Sequence, residues 1–256
     1  MQFPHFLDKY ELHGVLKPED MISLRGKNAK DELRGASAAI LCFQSSLLRF
    51  LSKEFGGKEV KGFTGNAMVL KKTGYRVIAA KANGLGAPAV AVLLEELAVS
   101  GIKSCIAVGV CGAIQDSIVA GDVIILTEAI RDEGTSYHYL TADMPACPST
   151  ELLGRLTDVL NKRSHVYTSG KVWTTDAPYR ETAEDIKRHQ HDGTLAVDME
   201  TSAFFCVCSA LKIQAACSLV AADSLSGAIW HPPNDIKRVN SSLQQLADAA
   251  VEALTL

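Results

Sequence analysis

The chain has 256 residues, 47% of them hydrophobic and 21% charged, with a formal net charge of -3. That balance fits a folded protein with a sizeable core and excludes a disordered one. No Lys/Arg block offers a nucleic-acid face, no apolar run reaches the length of a membrane span, and Met1-Gln2-Phe3-Pro4-His5 lacks the charged-then-apolar order of a secretion signal. Seven cysteines, an odd number without a Cys-x-x-Cys pair, sit mostly in apolar surroundings and read as reduced thiols, so a cytosolic protein is expected.

Residues 1–30 are weakly patterned. From Asp31 to Phe55, Leu33, Ile40, Leu41, Leu47, Leu48 and Leu51 recur near the helical period and Gly56-Gly57 ends the run, which predicts one helix. Residues 67–70 and 75–80 read as strands of a hairpin around Lys71-Lys72-Thr73-Gly74. Asn83-Gly84-Leu85-Gly86-Ala87-Pro88 then opens a helix through Ala98, and glycines there let backbone N–H groups approach an anion at the helix amino terminus. Residues 104–110 and 121–126 are apolar strands separated by a turn at Cys111-Gly112-Ala113. A helix over 151–162 and a strand over 166–172 lead to Trp173-Thr174-Thr175-Asp176-Ala177-Pro178-Tyr179-Arg180. No segment reads as a linker, so a single α/β domain over 1–256 is expected.

The most informative stretch is 194–223: a strand, the turn Asp198-Met199-Glu200, a helix over 201–211, a strand over 213–222, and Asp223. In an open α/β sheet the carboxyl ends of adjacent strands share one rim where ligands bind, so both acidic clusters are expected to face one pocket. Either acid alone is explained as a helix cap or a turn residue. Two acids at strand ends are costly to bury, and the pair points to use. Residues 224–233, rich in small side chains and ending Trp230-His231-Pro232-Pro233, read as a flap over that pocket, and 234–254 as a closing amphipathic helix.

Val197-Asp198-Met199-Glu200 opening a helix, with Ala222-Asp223 ending the next strand, resembles the purine nucleoside/uridine phosphorylase family. The resemblance extends over about 63–223 through Gly84-Leu85-Gly86 and through the strand, glycine turn and Gly121-Asp122. It implies a central mixed β-sheet flanked by helices. It also implies that Glu200, with Asp198 and Met199, holds the ribose and that Asp223 protonates the leaving base. Trp173 would stack on the base, Arg180 would contact it, and His5 would reach a neighbouring subunit's site. A carboxylate suits a vicinal diol, and an acid on the base side suits a bond whose cleavage leaves negative charge there. The family's Gly-Asp-Pro phosphate loop is not found at Leu16-Lys17-Pro18-Glu19-Asp20. The family's phosphate-binding Arg and Ser/Thr are replaced by Ala107 and Val110. Arg25, Lys58, Lys81 and Arg131, with the Gly84 turn, are the candidates to hold phosphate, and Lys237 or Arg238 to orient Asp223.

The expected activity is therefore phosphorolysis of a nucleoside, favouring purine because its ring nitrogen takes the proton from Asp223, although Glu133-Gly134-Thr135-Ser136-Tyr137-His138 resembles uridine phosphorylases. Loss of the phosphate arginine keeps a nucleosidase of the same fold as the alternative, and a non-catalytic nucleoside binder is the third reading. No metal or organic cofactor is implied, only phosphate as co-substrate. The expected partners are small molecules, with no nucleic acid and no membrane, in a homo-oligomer, dimer or hexamer, whose subunits share sites.

Overall fold

In the computed structural model, which describes residues 9–25, 29–33 and 35–256, the helix expected over 31–55 divides. After helix α1 (Pro18–Leu24), α2 (Ala29–Glu32) is a single turn, β1 (Ala38–Cys42) is a fully buried strand, and only α3 (Ser45–Phe55) is the long helix. A short run that is apolar at every position satisfies a buried strand and a helix face alike, and periodicity alone cannot separate them. Packing separates them here. Ala39 and Leu41 enter one core and Ala38, Ile40 and Cys42 the other, the two-residue alternation of a strand covered on both faces.

The expected hairpin is present as β3 (Gly65–Leu70) and β4 (Val77–Ala82), paired antiparallel, with β2 (Gly57–Val60) added at its edge. β1 runs parallel to β4 on one side and to β5 (Ser104–Ala113) on the other. The remaining strands are β6 (Val123–Asp132), β7 (Thr168–Thr175), β8 (Ala196–Asp198) and β9 (Gln214–Ser224). Their order is β2-β3-β4-β1-β5-β8-β7-β6-β9, and β9 also pairs with β5. The last five strands thus close on themselves, extended by a four-stranded wing. Helices α4 (Ala87–Val99) and α7 (Thr201–Ala210) pack on one side through Leu94, Phe204 and Phe205. On the other side, α3, α5 (Thr150–Lys162) and α8 (Ile236–Thr255) pack through Leu51, Leu156 and Leu246. Helix α6 (Ala183–His191) links β7 to β8.

The strand directions correct the argument for a shared rim. β9 is parallel to β5, but β8 is antiparallel to it, with Val197 opposite Gly112. The two acidic clusters therefore do not leave the sheet side by side. They meet because β8 is only three residues long and turns directly into α7 beside the end of β9. The β5–β9 register also slips there: Cys111 faces Ala221, yet Gly112 faces Asp223. That irregularity inserts one extra residue, Ala222, and re-aims the side chain that follows it.

Candidate active site

Asp198 ends β8 with 6% exposure, and its carboxylate collects four hydrogen bonds. The hydroxyls of Thr174 (2.7 Å) and Thr201 (2.5 Å) donate, as do the backbone N–H groups of Glu200 (3.3 Å) and Thr201 (2.9 Å). Burial pushes the carboxyl up, and these donors pull it back down. Although Asp198 borders the cavity, both of its oxygens are committed to protein donors. It is the support of the turn and the start of α7, not the free ligand implied by the sequence. Ser202, one turn on, donates its N–H to Thr174 (3.0 Å) and its hydroxyl to buried Glu133 (2.9 Å), so the Glu133–His138 passage braces the same helix start.

Glu200 is 7% exposed and accepts the backbone N–H of Gly86 at 2.7 Å, tying the start of α7 to the start of α4. Burial first, then the charge of Asp198, pushes its carboxyl to about 7, against the pull of the Gly86 and Met199 N–H groups and of Lys81. Met199 and Glu200 line a cavity of about 720 Å³ whose other end holds Asp223. Cys111 lines the same cavity, and burial, then the charges of Asp198 and Asp223, drives its thiol well above the usual range.

At that other end, Asp223 accepts the indole N–H of Trp230 at 2.8 Å. Its Oδ1 lies over Gly112, where a Cβ would stand 2.7 Å from Leu225 and 3.4 Å from that oxygen. A side chain here would have to displace the end of Leu225. Glu181 lines the same end, and burial followed by the nearby charge of Asp223 raises its carboxyl to about 7. The segment after β9 is a hairpin closed by paired backbone hydrogen bonds between Ser224 and His231, and Leu225, Ala228 and Trp230 form one wall of the cavity.

Several expected ligands are elsewhere. Trp173 is 2% exposed, stacks on His189 at 4.4 Å and donates to Asp132 at 2.9 Å, so its ring fills the core instead of a base-stacking wall. The exposed Arg180 does not line the cavity, and Thr182 caps α6. Arg25 donates to Glu96 (2.8 Å), to the Gly62 carbonyl (2.7 Å) and to Thr64, neutralising a carboxylate that is 2% exposed. Arg131 is spent on the carbonyls of Leu140, Thr141 and Met144 and the hydroxyl of Ser136, pinning its own loop. Lys58 is exposed on edge strand β2. Arg238 pairs with Asp122 at 2.6 Å instead of orienting Asp223. Only Gly84 and Lys81 approach the site, in a narrow cleft of about 10 Å³ shared with Phe43, Gly86 and Glu200. His5 lies outside the described residues. Ala107 is fully buried in the core, while Val110 faces the cavity.

Sequence reasoning missed Phe43, Gln44, Glu181 and the contact made by Trp230. The first two follow β1, hidden inside the expected helix, and they bring the amino terminus of α3 to the cavity. The buried Oε1 of Gln44 has no hydrogen-bond partner. A second cavity of about 760 Å³ between α1 and α4 contains none of the acids at the strand ends, and its Glu95 is held by Tyr139. Among the described residues no grouping of His, Cys, Asp and Glu is arranged to hold a metal ion, and no helix is long and apolar enough to cross a membrane.

A closed mixed sheet flanked by helices, with carboxylates gathered at the ends of β8 and β9, defines an α/β enzyme of the nucleoside phosphorylase fold. Residues 38–255 match the family model described as the Phosphorylase superfamily, and the chain belongs to that family. It is 31% identical over 194 residues to a DeoD-type purine nucleoside phosphorylase of Bacillus cereus, a match covering 75% of this chain and 80% of that one. It is also 31% identical over 122 residues to a guanosine phosphorylase of Halorubrum lacusprofundi, with 48% of this chain covered and about half, 51%, of that protein. The crystal structure of a uridine phosphorylase from Vibrio fischeri, complexed with 6-hydroxy-1-naphthoic acid, superposes with a TM-score of 0.77 at 26% identity, covering 87% of this chain and 93% of that one.

Proposed function

We propose that the protein cleaves the N-glycosidic bond of a purine nucleoside with phosphate as the nucleophile. The observation that carries this reading is the placement of Glu200 and Asp223 on one cavity of about 720 Å³, large enough for a nucleoside. Glu200 accepts from the sugar hydroxyls. As the bond between the anomeric carbon and the base breaks, its electron pair passes to the base, Asp223 gives a proton to a ring nitrogen, and a phosphate oxygen bonds to the anomeric carbon. Glu181, an acid raised to about 7 beside Asp223, supports a base that carries both donors and acceptors.

Phosphate is met by the amino terminus of α3 behind Gln44, whose first-turn N–H groups and helix dipole favour an anion. Lys81 adds charge from the adjoining cleft. One observation favours hydrolysis instead: among the described residues none that lines the main cavity is Lys or Arg. Release of free base from purine nucleosides, measured with and without phosphate, separates the two. Phosphorolysis requires release only with phosphate or arsenate and recovery of a sugar phosphate. Equal release in phosphate-free buffer selects the hydrolase, and no release from any nucleoside removes both.

A further inference from the structure

We propose that Trp230 is the positioning residue of the catalytic acid: its indole N–H anchors one oxygen of Asp223 and leaves the other to carry the proton to the leaving base. This rests on the proposed role of Asp223. The anchor is the 2.8 Å bond from Trp230 Nε1 to Asp223 Oδ2. Two backbone hydrogen bonds fix its geometry, from Ser224 N–H to the His231 carbonyl (3.0 Å) and from His231 N–H to the Ser224 carbonyl (2.7 Å). Asp223 immediately precedes the first of these residues and Trp230 the second, so closing the hairpin sets both side chains at once. The hairpin is itself tied to the sheet, Leu225 N–H donating to the Ala113 carbonyl at 2.8 Å.

The chemistry follows from which oxygen is engaged. An indole N–H only donates, so the oxygen it touches must act as an acceptor. A protonated carboxyl held in this way carries its hydrogen on Oδ1, the oxygen lying over Gly112 on the cavity wall. The proton then leaves Oδ1 for the base nitrogen as the glycosidic electron pair moves onto the base, and the same indole bond stabilises the carboxylate that remains. Arg238, just downstream, does not do this work, because it is engaged with Asp122 across the molecule. Trp230 itself is 61% exposed, so its ring is not needed to fill the core, and packing alone does not account for an indole at this position.

The test compares Trp230→Phe, which keeps an aromatic ring and removes the donor, with Asp223→Asn and with the double variant. Two substrates are used, a neutral purine nucleoside and its 7-methylated, positively charged counterpart, whose leaving base needs no proton. A hydrogen bond to a charged group of this kind is worth about tenfold to a hundredfold. Trp230→Phe is therefore expected to lower kcat on the neutral substrate by about that factor with KM little altered. Its loss on the charged substrate should be at least about tenfold smaller, and adding Trp230→Phe to Asp223→Asn should cost almost nothing further. Equal losses on both substrates, or losses that multiply in the double variant, overturn the role of Trp230 while Asp223→Asn remains selective for the neutral substrate. If Asp223→Asn is itself unselective, the assignment of Asp223 falls, and that result is read from the single variant alone.

Discussion

Glu200, the proposed ligand of the sugar, is held in the fold at a cost, and Glu200→Gln measures both the role and the cost. Its carboxyl moves from an ordinary 4.5 to about 7 because it is buried beside Asp198. A carboxyl raised on folding binds more protons in the native than in the unfolded state, so stability is greatest below 4.5, falls as pH rises towards 7 and is level beyond. The interval from 4.5 to about 7 corresponds to about 3 kcal/mol lost between pH 4.5 and pH 8. Gln keeps an oxygen for the Gly86 N–H and carries no charge to bury. The variant should match the unmodified protein in Tm near pH 4.5 and exceed it by about 5 °C or more at pH 8, by scanning calorimetry. At the same pH its KM for nucleoside should rise by about tenfold or more, since an amide offers one acceptor where a carboxylate offers two. The same dependence of Tm on pH in both proteins would refute the reasoning, because no charge would then have been held at a cost.

Asp223→Asn should lower kcat on neutral purine nucleosides by about 10²–10⁴-fold, the usual worth of a general acid, with much less effect on binding; steady-state kinetics on neutral and 7-methylated substrates check this. Lys81→Met removes a cation that pulls Glu200 down, so the pH at which nucleoside binding reaches half its maximum should move upward, as read from KM between pH 6 and 9. Arg25→Met should cost about 2–3 kcal/mol by leaving Glu96 buried without its charge partner, the lower end applying because 29% of the Arg25 side chain meets solvent. Its KM for phosphate should not change, and an increase would return Arg25 to the site.

The acids of the candidate site were legible because they fall within one stretch of the sequence, residues 194–223. Asp198-Met199-Glu200 and Asp223 announce themselves by charge at the ends of apolar strands, and the fold brings them to one cavity. What was illegible depended on distance along the chain. That Thr174 would engage Asp198, and that Trp173 would be drawn into the core by His189 and Asp132, depends on partners contributed by separate elements. The five apolar residues of β1 carried no phase information, and absorbing them into a helix hid the turn at Phe43-Gln44 that opens onto the cavity. Arg25 and Arg131 qualified as anion ligands by residue type alone, and their carbonyl and carboxylate partners became visible only with the tertiary structure.

The charge balance of the cavity follows from the same topology. In the closed set of β5, β8, β7, β6 and β9 the ends of β8 and β9 meet at the cavity, and Asp198, Glu200, Glu181 and Asp223 all line it. Burial first, and then the charge of one neighbouring carboxylate, Asp223 for Glu181 and Asp198 for Glu200, raises both to about 7. On the proposed roles, phosphate entering such a site meets repulsion unless protons remain on the carboxyls, while the sugar is held best when Glu200 has lost its proton. The two requirements pull in opposite directions across neutrality. A phosphorylase built in this way should show a kcat/KM for phosphate that falls as pH rises through about 7 while the affinity for nucleoside improves. A hydrolase using neutral water has no such penalty, so its turnover should follow the nucleoside term alone. The pH dependence of the two substrates, measured separately, therefore distinguishes the nucleophile without any substitution in the protein.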